Sequence, residues 1–327
     1  NYNIPVVETI AGRSAMLHDH PLNSGPLGVI GSSSANALAE EADVVLAVGT
    51  RLQDFTTGSW SVFGNEKMRL ISINAARYDA HKHRALSVVG DALAGIEELG
   101  PALEGWKSPE SWSANARSLY AEWNATVDEH SGSTDALPPS YAHVIGAVNR
   151  VCDESDLVLT AAGGFPGELC KNWKTKSSGT FDCEFGYSCM GYEIAGGWGA
   201  KMADPSRDVI VFVGDGSYLM MNSDIYSSVL TGHKLIVVVC DNGGFSVINR
   251  LQNFKGSASF NNQIVDSKVE SIQYVDFVQH ARSMGALGEQ VETIDELEKA
   301  FVRAKEADRT YLIAVRIQQH QWTPGDA

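Results

Sequence analysis

Val209-Ile210-Val211-Phe212-Val213-Gly214-Asp215-Gly216 is an apolar run that stops in a Gly-Asp-Gly turn, and 27 positions after Asp215 comes Asn242, just past a second apolar run, Leu235 to Cys240. Both runs have strand length and β-branched character, and the stretch between them, Tyr218 to Thr231, has helical length with apolar residues at helical spacing. Together they predict one strand, helix, strand crossover of a parallel sheet, and so an α/β fold. In such sheets ligands bind in the crevice beyond the carboxyl ends of the strands. A carboxylate and an amide at two neighbouring strand ends, among glycines, offer the hard oxygen donors that suit Mg²⁺ holding a diphosphate. Gly-Asp-Gly alone is an ordinary turn as often as a site. Its partner, Asp241-Asn242-Gly243-Gly244, repeats a polar, glycine-rich strand exit one crossover later, and that shifts the balance towards a site.

The rest of the chain sets the frame. Its 327 residues suffice for two domains, and 44% hydrophobic with 20% charged residues is the composition of a globular protein. A formal net charge of −15 without a basic patch argues against nucleic acid and anionic membrane surfaces as partners. The longest apolar runs are strand-length, far short of a membrane span. Five cysteines without metal-type spacing suggest reduced thiols, and the expected compartment is the cytoplasm. His18 with His20 and His81 with His83 lie in polar stretches without an obvious third ligand and read as surface or loop histidines. The chain starts at Asn1, not Met, and Ile4 to Glu8 already has strand character with no preceding partner, so a fragment is expected.

Strand and helix signals alternate over the first third: strands at Ile4 to Val7, Val44 to Val48, Leu70 to Ile73 and Leu86 to Val89, helices at Ser34 to Glu41 and Asp91 to Leu99. A charged, Trp-containing stretch, Ser108 to His130, reads as helix, and Ser131 to Thr134 with Pro138-Pro139 as a linker. A second α/β unit then starts with a helix at Tyr141 to Val151, a strand at Leu157 to Thr160 and a small-residue loop, Ala161 to Gly167. The expected organisation is two parallel-sheet, three-layer units: a first domain over 1–105, a helix and linker over 106–139, and a second domain over 140–327 that holds the diphosphate and metal.

The paired strand exits resemble the signature of thiamine diphosphate enzymes, Gly-Asp-Gly-Ser followed about 27 residues on by a pair of Asn. The resemblance implies Mg²⁺ held by Asp215, Asn242 and the Gly244 carbonyl, with Gly214, Gly216 and Ser217 beside the diphosphate. Ser217, at the start of the following helix, would be an N-cap whose hydroxyl and neighbouring N–H groups meet anionic oxygens. One position departs from the family: the first Asn of the pair is Asp241, which alters the charge around the diphosphate. Gly163-Gly164-Phe165 falls where the family has a phosphate loop. Tyr187-Ser188-Cys189-Met190-Gly191-Tyr192 resembles the segment that grips the aminopyrimidine, with Met190 as the wedge between the two cofactor rings and the Ser188 carbonyl accepting from its amino group. The helix expected after it is Ala195 to Met202.

In the first unit His20, Pro21, Gly28, Gly31, Ala42, Asp43, Gly49, Arg51, Asp54, Thr57 and Gly58 resemble the family's middle domain, which in carboligases holds FAD with an acidic residue after a later strand. Here that strand ends in Asn74, an amide that accepts a ribose hydroxyl less strongly than a carboxylate, which weighs against a flavin. The resemblance also brings NAD as an expected nucleotide. The Glu that activates the cofactor in this family sits in a separate pyrimidine-binding domain of a second subunit, so no catalytic residue is expected in this chain, and a homo-oligomer, dimer or tetramer, is. Gly163 to Leu169, Phe185 to Glu193 and Asp241 to Phe245 resemble the trihydroxycyclohexane-1,2-dione hydrolases of myo-inositol catabolism, which implies carbon–carbon bond hydrolysis of a small cyclic dione to 5-deoxyglucuronate. An acetolactate synthase-like carboligase or 2-oxoacid decarboxylase, and a non-catalytic cofactor-binding subunit, stay open beside it. Glu168, Glu193, Tyr187, Asn249 and Gln252 are candidates to face a polyhydroxylated ring.

Overall fold

The computed structural model describes residues 2–325. Asn1, and the last two positions of the expected second domain, Asp326 and Ala327, lie outside the described residues. The chain forms two compact units, one running to Thr126 and taking back the end of the chain from Pro324, the other spanning Val127–Thr323.

The first unit begins with β1 (Val6–Glu8), which pairs in parallel with β2 (Asn23–Pro26). Sequence patterning misses β2, because Asn-Ser-Gly-Pro has no strand signature; its residues are buried, and the Leu27 N–H just past it still donates to the Glu8 carbonyl at 2.8 Å. Then come α1 (Ser33–Glu41), β3 (Val44–Val48), α2 (Asp54–Thr57), β4 (Arg69–Asn74), α3 (Arg77–Ala80), β5 (Leu86–Val89) and α4 (Ala92–Ala102). Ser32 and Asp91 cap α1 and α4, each side chain accepting from the backbone N–H three residues on. β3, β4 and β5 form a separate three-stranded parallel sheet, so this unit carries two small sheets where a single one is expected. The long helix α5 (Glu110–Ser131) follows.

The second unit holds α6 (Tyr141–Val151), β6 (Leu157–Thr160), α7 (Phe165–Asn172), β7 (Phe181–Cys183), α8 (Tyr192–Ala203), β8 (Val209–Gly214), α9 (Asp215–Met220), α10 (Asp224–Leu230), β9 (Ile236–Asp241), α11 (Ser246–Phe254), α12 (Phe277–Ser283), β10 (Leu287–Val291), α13 (Ile294–Glu306) and β11 (Tyr311–Arg316). Its sheet is parallel throughout, in the order β10-β11-β9-β8-β6-β7. Val209 to Val213 and Ile236 to Cys240 are fully buried, as strands covered on both faces must be. Val209, Val211, Val213, Val237 and Val239 pack with Ile194 of α8, Ile225 of α10 and Phe277 of α12. On the other face Phe212 meets Phe165 and Trp173. Each such side chain contributes roughly 1.5–3 kcal/mol, so the two central strands are the rigid floor on which the loops at their ends stand.

Chain order places the crevice. From β6 the chain crosses to β7 on one side, then returns so that β8, β9 and β11 build outward on the other. The crossovers diverge between β6 and β8, and at such a switch point the loops part to leave room for a ligand. The crossover from β8 to β9 is not the single helix expected over Tyr218 to Thr231. It breaks at Met221, whose non-helical backbone ends α9, and Gly191 packs against that break so closely that a Cβ there would lie 2.5 Å from the Cβ of Met221. No helix among the described residues is long and apolar enough to cross a membrane.

Candidate metal and diphosphate centre

Four segments surround the crevice. The first follows β6: Ala161 and Ala162 are buried, Gly163 has φ +77° with open space where a Cβ would project, and Gly164 is pressed against Trp322 and Tyr141, 2.7 and 3.0 Å from a built Cβ. The loop is shorter than expected, because α7 starts at Phe165, which is fully buried edge-on against Tyr141. Gly163 therefore presents bare backbone, while Gly164 and Phe165 are packing positions that hold it there.

The second and third segments are the exits of β8 and β9, adjacent because Gly214 pairs with Cys240. Asp215 is buried, and its Oδ2 accepts from the Gly244 N–H at 2.8 Å, tying the two exits together. Asp241 accepts from the Gly243 N–H at 2.9 Å. Burial, and then the neighbouring Asp241 charge, push the Asp215 carboxyl up to about 7. Asn242 is buried too: its Nδ2 donates to the Tyr141 hydroxyl at 2.6 Å, whereas its Oδ1 has no hydrogen-bond partner. Gly243 and Gly244 have φ +75° and +142°, and a Cβ on Gly244 would come within 2.4 Å of the Asn262 carbonyl oxygen, so the turn admits only glycine there.

A buried carboxylate at one strand exit and an orphaned amide oxygen at the next are what a hard divalent cation requires, and leaving that oxygen unpartnered costs about 1–3 kcal/mol. The residues present therefore fit Mg²⁺. Among the described residues no group of three or more His, Cys, Asp or Glu side chains could hold a metal, so His18, His20, His81 and His83 form no such cluster.

The fourth segment runs from Glu184 to Gly191. The Glu184 carboxylate accepts from the N–H groups of Tyr187 and Cys189 at 3.1 and 2.8 Å, and Ser188 is held at φ 52°, a left-handed conformation uncommon for a residue with a side chain. Met190 is half-buried with its Cε methyl at Gly216, 3.5 Å from where a Cβ would be, and the Phe245 ring lies closer still at 2.8 Å. Gly216 thus makes room for both side chains.

Ser217 departs from expectation. Gly214 is the N-cap of α9, and Ser217 lies in the first turn with its buried hydroxyl directed inward: it donates to Glu193 and accepts from the Gly191 N–H, all at 2.8 Å. The hydroxyl proton is committed to a carboxylate and does not face the crevice as a cap would. Glu193 and Glu168 are likewise not ring-facing. Glu193 is fully buried, its carboxyl pushed up by burial, and Glu168 accepts from the N–H and hydroxyl of Thr323 and from Asn172. Asn249 is buried and Gln252 bonds with Ala258 and Asn262, while Tyr187 is 92% exposed. Tyr141 and Trp322 carry no site signal in the sequence, because their places come from packing on Gly164, whereas a carboxylate beside Ala and Gly, in Tyr192-Glu193-Ile194-Ala195-Gly196-Gly197, is a readable sign of a buried acid.

Comparison with known proteins agrees with this geometry. Residues 161–315 match the C-terminal TPP-binding domain of thiamine pyrophosphate enzymes, and residues 1–99 match their central domain. The chain is 36% identical over 354 aligned residues to a protein of Bacillus cereus (strain AH820) named 3D-(3,5/4)-trihydroxycyclohexane-1,2-dione hydrolase, and 35% identical over 351 to one of the same name from Geobacillus thermodenitrificans. Each alignment covers 99% of this chain and 55% of the relative, so the chain spans about half the length of the curated relatives it matches. The chain thus carries the central domain and the C-terminal TPP-binding domain of thiamine pyrophosphate enzymes.

Proposed function

We propose that the second unit holds thiamine diphosphate through Mg²⁺ and serves an enzyme that hydrolyses a carbon–carbon bond in a cyclic 1,2-dione; its relatives are named as hydrolases of a trihydroxycyclohexane-1,2-dione. The observation that carries the reading is the buried pair of strand exits, with the Asn242 Oδ1 unpartnered and the Asp215 carboxylate tied to Gly244. Asp215, Asn242 and the Gly244 carbonyl would hold the metal. Gly214, Gly216 and the loop of Gly163, Gly164 and Phe165 would let backbone approach the diphosphate. Met190, with its methyl at Gly216, would wedge the cofactor into its bent form, and the Ser188 carbonyl would accept from the aminopyrimidine. When bound, thiamine diphosphate supplies a carbon nucleophile for a carbonyl and a sink for the electron pair of the breaking bond.

The activating Glu belongs, in this reading, to a pyrimidine-binding domain of a second subunit, making the protein a homo-oligomer. Five free cysteines, four of them buried, support a cytoplasmic setting. We assign no ribose contact, of FAD or of NAD, to Asn74: its Nδ2 donates to the Thr50 carbonyl at 3.0 Å and its Oδ1 accepts from the Ala76 N–H at 2.8 Å, so both ends of the amide are used within the unit. The deciding experiment assays the full-length protein on the cyclic dione with and without thiamine diphosphate and Mg²⁺. Ring opening that needs both is expected; turnover without the cofactor, or consumption of pyruvate instead, overturns the assignment.

A further inference from the structure

We propose that Glu193 is the positioning residue that sets the distance between the diphosphate end and the ring end of the cofactor site, by clamping three loops to one carboxylate. The inference rests on the thiamine diphosphate reading above and deepens it. Glu193 Oε1 accepts from the Ala162 N–H at 3.1 Å and the Ser217 hydroxyl at 2.8 Å; Oε2 accepts from the Gly191 N–H at 2.9 Å and lies equally close to the same hydroxyl. Ala162 immediately precedes Gly163, Gly191 immediately follows Met190, and Ser217 lies one residue past Gly216. Each partner is thus adjacent to a residue of the proposed cofactor contact, on a different segment of chain.

A carboxylate that merely satisfied its own buried charge could do so with neighbours on its own helix. Glu193 instead joins the exits of β6 and β8 to the Met190 turn, and Ser217 closes the triangle by accepting from the Gly191 N–H at 2.8 Å. Every group around it is a donor: two backbone N–H groups and one hydroxyl. An amide in its place keeps the volume but must turn an NH₂ towards a donor, so at least one loop is released. The consequence falls on Met190, whose methyl stands at Gly216 and whose neighbour Gly191 is held to Ser217. Misplacing a positioning group by a fraction of an ångström weakens the ligand's ring end without touching its metal end.

Two ligands separate those ends: thiamine diphosphate and inorganic diphosphate, each titrated with Mg²⁺ by calorimetry into the full-length protein. Glu193→Gln should weaken thiamine diphosphate by about tenfold or more while leaving inorganic diphosphate nearly unchanged. Equal losses of both, or retention of both, overturn the proposal. Should that variant fail to fold, Ser217→Ala removes one corner of the clamp with a small side chain and should show the same selective loss; wild-type selectivity there overturns the proposal equally. Hydrogen exchange of the cofactor-free protein adds a readout independent of binding. In Glu193→Gln the amides of Ala162 and Gly191 should exchange faster together, with β8 and β9 unaffected, and unchanged protection of both denies the clamp. Failure of the wild-type protein to bind either ligand would instead count against the functional reading, and the exchange measurement then judges the clamp by itself.

Discussion

Two asparagines stand at strand exits in this molecule, and they are built for different purposes. Asn74, the last residue of β4 in the first unit, spends both ends of its amide on backbone partners, Thr50 and Ala76. Asn242, after β9 in the second, spends its NH₂ on Tyr141 and leaves its oxygen bare in a buried setting. The first closes a turn. The second is incomplete without something that accepts its lone pairs. Both are asparagines at the carboxyl end of a strand, Asn74 its last residue and Asn242 one past it, so what separates a structural exit from a ligand-bearing one is whether the hydrogen-bond inventory balances.

The comparison can be broken most forcefully at Asp215. Replacing it by Ala should lower Mg²⁺-dependent binding of thiamine diphosphate at least about 100-fold, read by calorimetry; retained affinity would mean that the β8 exit holds no metal. Next come the two asparagines themselves. Asn242→Leu should weaken the cofactor by about tenfold or more with only a small change in thermal unfolding, since one hydrogen bond, to Tyr141, is given up at about 1 kcal/mol. Asn74→Leu should do the reverse, destabilising the first unit by about 1–2 kcal/mol with cofactor affinity intact. Similar behaviour of the two variants would dissolve the distinction. The mildest test concerns Asp241, where the family has an amide. Because the metal-free Asp215 carboxyl holds its proton up to about pH 7, Mg²⁺ must displace that proton at lower pH. Its apparent affinity should then fall about tenfold per pH unit below the break and level off above it. Asp241→Asn removes the neighbouring charge and should move the break to lower pH, and an unmoved break would show that burial alone sets it.

The same contrast shows what was legible in the sequence. Asp215 and Asn242 announce themselves because glycines and hard oxygens follow uniform apolar runs, a local signal that survives without knowledge of packing. Strands β8 and β9 and helix α6 are local in the same sense. Ser217 falls in the first turn of α9 and not at its N-cap, and its hydroxyl goes to Glu193, 24 residues earlier, a destination that no local pattern carries. The break at Met221 and the strand Asn23–Pro26 were hidden for a related reason: one sits against Gly191 and the other is buried beside β1, and neither leaves a periodic trace. Tyr141 and Trp322 are aromatic residues like many others until the sheet order brings them to Gly164.

Trp322 and Thr323 carry one more implication, about time. They follow the last strand, yet Trp322 stacks on Tyr141 and packs on Gly164, while Thr323 bonds to Glu168, 155 residues earlier, and to Asn172. During synthesis the loop after β6 is made early, with Tyr141 and later Glu193 to hold it, but its brace from Trp322 and Thr323 arrives only when the final residues of the unit leave the ribosome. Pairings of such long sequence separation form late in folding. The sheet can condense first; the loop that would receive the diphosphate acquires its shape last, so a nascent chain stopped after β11 would carry a formed core and an unfinished cradle.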